Sequence, residues 1–151
     1  MFIISHRGNL DGQIYEKENE PSYIDQAIEK VYYVEIDVRY IGKQLLLGHD
    51  KGQYLINEDW LMNRKNNLFV HAKDTTTLEY FTKANLPTLE YFYHNIEDCV
   101  ITSRRQIWCF PDVYLKRGVT VELGKPREIP EVLGICTDYP LLWMEFDKWI
   151  T

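Results

Sequence analysis

The sequence predicts an α/β protein with a single domain, residues 1–151, built on a mainly parallel β-sheet that is either open or closed. Short apolar runs rich in β-branched and aromatic residues alternate with amphipathic stretches of helical spacing. No repeat, linker or low-complexity tract interrupts this alternation. The 151 residues, 45% hydrophobic and 26% charged, are typical of one globular domain with an ordinary core.

In the first half, the apolar start of the chain predicts a strand. Tyr23, Ile24, Ala27, Ile28 and Val31 recur at helical spacing and predict a helix. Strands are predicted at residues 2–5, 32–40, 44–47 and 68–71, the second and third forming a hairpin across residues 41–43. Helices are predicted at residues 21–30, 57–64 and 75–84, the last capped by Asp74 or a threonine.

The second half is richer in strands. They are predicted at residues 88–93, 99–102, 106–110, 119–123 and 134–137. A turn at residues 102–105 joins two of them. Brief helical segments are predicted at residues 126–132 and 141–150.

Charge and composition exclude several partners. A net charge of −6 and a pI near 5.2 argue against general nucleic-acid binding, which needs a cationic surface. No apolar stretch is long enough to span a bilayer, and no signal peptide is recognisable. Cys99, Cys109 and Cys136 lie in apolar runs without metal-binding spacing, so we expect reduced, buried thiols in a cytoplasmic protein.

Chemically active residues cluster at the ends of the early strands. His6 and Arg7 follow the first strand, Glu35 and Asp37 lie on the second, and His49 follows the third. Imidazoles transfer protons near neutral pH, a guanidinium matches phosphate oxygens, and paired carboxylates bind hard cations. Together these groups suit the cleavage of a phosphodiester.

Each of these residues also has an ordinary structural interpretation. Glu35 and Asp37 are two apart on a strand and share one face, which could be a solvated face with Ile36 and Val38 inward. His6 could be a half-buried, hydrogen-bonded residue, and His49 could belong to a turn. Their occurrence together favours the functional interpretation.

The motifs resemble those of the glycerophosphodiester phosphodiesterase family. The family signature runs His-Arg-Gly, Glu-Asn, Glu-x-Asp-Val and His-Asp, with a Gly-x-x-Thr-Asp-x-Pro run near the end. The chain carries, in the same order, His6-Arg7-Gly8, Glu18-Asn19, Glu35-Ile36-Asp37-Val38, His49-Asp50 and Gly134-Ile135-Cys136-Thr137-Asp138-Tyr139-Pro140. The resemblance is strong over residues 1–50 and loose between residue 50 and residue 134.

The resemblance implies a TIM-type (β/α)₈ barrel with its site at the carboxyl ends of the strands. By it, His6 and His49 are the general acid and base, and Arg7 holds the phosphate. Glu35 and Asp37 bind a divalent metal ion. Glu18, Asn19 and Asp50 would hold the residues of the site in position without contacting the substrate or the metal themselves.

One departure concerns the metal site. Where the family usually has Glu-x-Lys, this chain has His71-Ala72-Lys73. Lys73 matches the phosphate-gripping lysine, whereas His71 replaces a metal-binding carboxylate. An imidazole ligand shifts preference from Mg²⁺ or Ca²⁺ toward Mn²⁺ or Zn²⁺, and the alternative is a weakened metal site in which His71 only forms hydrogen bonds. Glu122 could restore a carboxylate, or be an ordinary solvated strand residue.

A second departure is length. Barrels of this type commonly have about 250 residues, so the sequence predicts a miniature or incomplete barrel with short or missing helices. Trp108 either lines a substrate pocket or packs in the core. The segment 51–67 is too short for the glycerol-recognising insertion of the family.

The leading functional prediction is a metal-dependent phosphodiesterase acting on a small soluble phosphodiester. The rival is a phosphate-ester-binding module that has lost catalysis, and a membrane phospholipase is disfavoured by the acidic charge. The metal (Mg²⁺, Ca²⁺ or Mn²⁺) and pairing with a second copy of the chain stay open.

Overall fold

The computed structural model describes the backbone of residues 1–150 and the side chains of residues 1–148. The protein is a mixed α/β structure with a curled sheet and few helices. The strands are β1 (Phe2–His6), β2 (Tyr33–Ile41), β3 (Gln44–Leu47), β4 (Tyr54–Ile56), β5 (Leu68–Ala72), β6 (Glu90–Tyr93), β7 (Cys99–Ile101), β8 (Ile107–Cys109), β9 (Gly118–Val121) and β10 (Gly134–Thr137). The helices are α1 (Pro21–Val31), α2 (Glu58–Met62), α3 (Thr75–Lys83) and α4 (Pro140–Ile150).

The sheet is parallel through its centre. The parallel order is β6-β5-β2-β1-β10-β9-β8, so the first and last strands of the chain are neighbours. Antiparallel hairpins extend it, through β3 and β4 beside the end of β2 and through β7 beside β8. Parallel neighbours place their carboxyl ends at the same edge of the sheet, which is where the polar motifs lie.

The two ends of this sheet curl toward each other. Phe92 of β6 stacks on Trp108 of β8 at a ring distance of 4.5 Å. The backbone N–H of Ser103 donates to the carbonyl of Tyr91 at 2.8 Å. Within the described residues no β-ladder joins β6 to β7 or β8, so hydrogen bonding does not close the sheet.

Both faces of the central strands are buried, as expected for a parallel sheet. On β2, Val34, Ile36 and Val38 pack on the convex side against helices α1 and α3. The alternate residues Glu35 and Asp37 therefore face the concave interior. That interior is filled at one end by the apolar side chains of Ile4, Phe69, Phe92, Trp108, Val119 and Cys136.

Most predicted elements are confirmed, with ends shifted by a few residues. Asp74 caps α3, its carboxylate accepting from the N–H of Thr77. The predicted helix at residues 126–132 is wrong, since this segment is irregular. Strand β4 was not predicted. None of the described helices has the length and apolar character needed to cross a membrane.

Candidate active site

The site lies in a cleft of about 390 Å³ at the carboxyl ends of the central parallel strands. His6 enters it from the end of β1, His71 from β5, and His49 from the loop after β3. The lining residues are His6, Arg7, Glu35, His49, His71, Lys73, Tyr93, His94, Asn95, Trp108, Phe110, Pro111, Val121 and Leu123. The structure thus brings both predicted imidazoles and both predicted cations to one cavity.

Two buried carboxylates lie at the cleft, and Glu35 is one of the residues that line it. Glu35 is 3% exposed and Asp37 is fully buried, which excludes the solvated-face interpretation. Asn19 holds Asp37 from behind, because its amide donates to Oδ2 at 2.9 Å and its carbonyl accepts from the Asp37 N–H at 2.9 Å. This exchange requires Asn19 to adopt a left-handed backbone conformation with φ of 63°, which asparagine tolerates better than most residues.

Two cations neutralise Asp37. Nε of Arg7 lies 2.9 Å from Oδ2, although the N–H is not directed along a hydrogen bond, and Nζ of Lys73 lies 3.4 Å from Oδ1. Burial opposes ionisation, but Arg7 and Lys73 together lower the pKa of Asp37 to about 2. Arg7 is also bound to Glu18 through NH1 at 3.1 Å.

The pKa of Glu35 is shifted in the opposite direction to that of Asp37. Burial, with the neighbouring charge of Asp37, raises the pKa of Glu35 to about 7. Its Oε2 atom and Oδ1 of Asp37 are buried without a hydrogen-bond donor among the described residues. Buried oxygens of this kind are costly unless a cation or water satisfies them.

The unprotonated ring nitrogen of His71 faces both carboxylates. Its Nε2 lies 3.1 Å from the carbonyl oxygen of His94, which can only accept, so Nε2 carries the proton and Nδ1 carries a lone pair. Nδ1 lies 3.5 Å from Asp37 Oδ1 and 3.8 Å from Glu35 Oε1. Burial, and then Lys73, lower the pKa of His71 to about 4, which keeps the ring neutral.

This donor set fits a divalent cation. One ligand atom from each of Glu35, Asp37 and His71 lies within 4.8 Å of the others. Three lone pairs converge there with two buried oxygens unsatisfied, an arrangement that a cation would relieve.

His6 is held by an aspartate that the sequence interpretation did not assign to the site. Nδ1–H of His6 donates to Oδ1 of Asp138 at 2.8 Å, and Nε2 lies 4.0 Å from Oε2 of Glu35. Asn9 fixes both Asp138 and Glu18 by donating at 2.8 Å and 2.9 Å. The Thr-Asp motif near the end of the chain was the available signal for Asp138; no signal pointed to Asn9.

His49 is more open than His6. Its side chain is 40% exposed, and its Nδ1 lies 2.7 Å from Oδ1 of Asp50. The hydroxyl of Tyr15 donates to the other oxygen of Asp50 at 2.7 Å. Asp50 therefore contacts His49 at the solvent edge of the cleft.

Two predicted residues take other positions. Glu122 is turned away from the cleft, and its Oε2 accepts from Tyr114 at 2.8 Å and from Arg127 at 2.9 Å, so it supplies no further ligand to the cluster. Trp108 is 2% exposed and packs on Phe69 and Phe92, so it is mainly a core residue although it also borders the cleft. His94 also lines the cleft.

Comparisons with family models, with curated proteins and with solved structures produced no match to this chain.

Proposed function

We propose that this protein is a metal-dependent phosphodiesterase that resembles the glycerophosphodiester phosphodiesterases and acts on a small phosphodiester. The observation that carries the proposal is the position of His6 and His49 on one cleft that Glu35 and His71 also line, these two forming a cluster with the buried Asp37. A phosphate-binding site alone needs cations, whereas two imidazoles beside a cation site supply proton transfer as well.

The fold proposed with this function is an incomplete TIM-type barrel. The parallel order β6-β5-β2-β1-β10-β9-β8 and the contact of Phe92 with Trp108 support it. The described residues form four helices around the sheet, so the convex face is covered in part by hairpin β3–β4 and by irregular segments. This accounts for a barrel-like site in 151 residues.

The residues divide the chemistry as follows. Asp138 fixes the tautomer of His6 so that Nε2 carries a lone pair, which suits removal of a proton from an attacking hydroxyl of the substrate. The attack closes a cyclic phosphate, while His49 donates a proton to the departing alcohol. Water then opens the ring, with the two imidazoles exchanging roles.

Charge on the phosphate is balanced from two sides. Arg7 and Lys73 both line the cleft and can face phosphoryl oxygens. A divalent ion held by Glu35, Asp37 and His71 would withdraw further charge from those oxygens. The cleft volume of about 390 Å³ lies at the small end of ligand sites, which favours a small substrate.

Hydrolysis of glycerophosphocholine, which carries a free hydroxyl next to its phosphoester, with Mg²⁺, Ca²⁺, Mn²⁺ and Zn²⁺ in turn, tests the proposal. We expect turnover that EDTA abolishes, and a loss of about 100-fold or more in His6→Gln and His49→Gln. Glu79→Gln, which changes an exposed carboxylate on α3, is the matched control. Absence of turnover with every metal in a protein of native circular dichroism would refute catalysis.

One observation favours a second candidate, a phosphate-ester-binding module. Asp37 is already paired with Arg7 and Lys73, so part of the acidic cluster is neutral without a metal. Calorimetry with a phosphate ester distinguishes the phosphodiesterase from the binding module. Binding that is unaffected by EDTA and by His6→Gln, without turnover, would establish the module.

A further inference from the structure

The structure places two of the three cysteines directly opposite each other. Cys99 of β7 and Cys109 of β8 are register partners in an antiparallel pair. Their Sγ atoms are 2.8 Å apart, and both are free thiols. Cys136 is fully buried and has no thiol partner among the described residues.

The register suits a covalent bond. The N–H of Phe110 donates to the carbonyl of Asp98 at 2.8 Å. On the other side of the cysteine pair, the N–H of Thr102 donates to the carbonyl of Gln106 at 2.9 Å. Because hydrogen-bonded and non-hydrogen-bonded pairs alternate, Cys99 and Cys109 form a non-hydrogen-bonded pair. Such pairs have Cα atoms about 4.5 Å apart, which lies within the range of disulfides.

The two thiols differ in access. Cys99 is half-buried and can meet a small reagent, whereas Cys109 is fully buried. Burial, with the hydrogen bond from Cys99, raises the pKa of Cys109 to about 12, so Cys99 is the group that reacts first.

We propose that Cys99 and Cys109 are a redox site that forms a reversible cross-strand disulfide by exchange with a small disulfide such as oxidised glutathione. The Cys99 thiolate attacks one sulfur of oxidised glutathione, giving a mixed disulfide and one glutathione thiolate. The Cys109 thiolate then attacks Sγ of Cys99 and releases the second glutathione. The two protein thiols are oxidised, oxidised glutathione is reduced to two thiols, and the two protein protons pass to them.

The Cys99–Cys109 redox site adjoins the candidate active-site cleft, but the redox proposal does not depend on the proposed phosphodiesterase activity. Trp108 and Phe110, the chain neighbours of Cys109, both line the cleft. Oxidation would therefore tie the β7–β8 hairpin together beside that wall.

The test uses the whole reduced chain, exposed to oxidised glutathione and then alkylated after unfolding. Trypsin places each cysteine on a separate peptide, because Arg104 and Arg105 separate Cys99 from Cys109. We expect a mass loss of about 2 Da, the two thiol hydrogens, a cross-linked pair containing Cys99 and Cys109, and an alkylated Cys136. The cross-link should disappear on reduction with dithiothreitol.

Variants resolve the order of the steps. Cys109→Ser should retain one glutathione on Cys99, Cys99→Ser should not react, and Cys136→Ser should form the cross-link as the wild type does. Three free thiols after oxidation, a stable glutathione adduct on the wild type, or a cross-link to Cys136 would each overturn the proposal. The wild-type experiment decides it even if a variant does not fold.

Discussion

Nδ1 of His71 lies 3.5 Å from Oδ1 of Asp37, and the proton of the ring is on the other nitrogen, which faces the carbonyl of His94. A neutral imidazole lone pair and a carboxylate oxygen repel each other at this distance, and a divalent cation between them would relieve the repulsion. The geometry of this pair therefore supports the proposed metal site.

The first prediction concerns metal choice. His71→Glu should shift the relative affinity toward Ca²⁺ and Mg²⁺ and away from Zn²⁺, by about tenfold or more, because a carboxylate replaces a borderline nitrogen ligand. Calorimetric titration of each metal into the purified variant measures the change. Glu79→Gln should bind all four metals as the wild type does. Unchanged ratios between the metal affinities in His71→Glu would exclude His71 as a ligand.

The second prediction concerns the pH dependence of stability in EDTA. The raised pKa of Glu35, about 7, means that its stabilising contribution is lost as pH rises from 4.5 to 7. The lowered pKa of His71, about 4, means that its contribution is lost as pH falls from 6.5 to 4. These two slopes oppose each other in the wild type.

Urea unfolding at several pH values between 4.5 and 6.5 can separate these slopes. In Glu35→Gln, the free energy of unfolding should rise with pH more steeply than in the wild type. In His71→Gln, it should rise less steeply than in the wild type, or fall. Identical slopes in all three proteins would contradict the assigned protonation states.

The third prediction concerns the tautomer of His6. Asp138→Asn should lower kcat by about 100-fold or more, because the amide can donate to Nδ1 and so move the proton of the ring to Nε2. Asp138 is a positioning residue, so the acidic limb of the pH–rate profile, where the general base His6 becomes protonated, should change while KM changes little. Asp50→Asn is the matched control, and its effect should be less than about tenfold because the His49–Asp50 pair is exposed. Equal losses in both variants would argue against this role.

The fourth prediction concerns stability. Asn19→Ala removes both hydrogen bonds that Asn19 exchanges with buried Asp37, and it places alanine at a φ of 63°. We expect a loss of about 3 kcal/mol in the free energy of unfolding. Chemical denaturation measures it, with Asn67→Ala as control, since Asn67 makes an exposed bond to the carbonyl of Tyr32. A loss no larger than that of the control would show that Asn19 does not hold Asp37 in place.

The sequence was most informative where parallel strands end. Glu35, Asp37 and His71 could be predicted to meet, because alternate residues of neighbouring parallel strands share one face and one edge. The resemblance to the family motifs predicted that His6 and His49 lie at the same edge of the sheet. The long-range packing of Asn9 against Asp138 has no local pattern, so it could not be predicted.

The weaker predictions failed for local reasons. Residues 126–132 contain Pro126 and Pro130, each of which restricts the preceding residue, and the segment stays irregular. Strand β4 is three residues long and, within the part of the chain that the structure describes, pairs with β3 alone; this pattern is too short to recognise. Whether the sheet closes depends on its curl, which no sequence pattern specifies.

The adjacency of β1 and β10 has a consequence for biosynthesis. Asp138, which aligns the ring of His6, is translated 132 residues after it. Until then one edge of β1 lacks its native strand neighbour, although β2 is already available for pairing. A nascent chain halted before β10 should therefore remain a substrate for chaperones, and pairing of the central sheet should be complete only once β10 has left the ribosome.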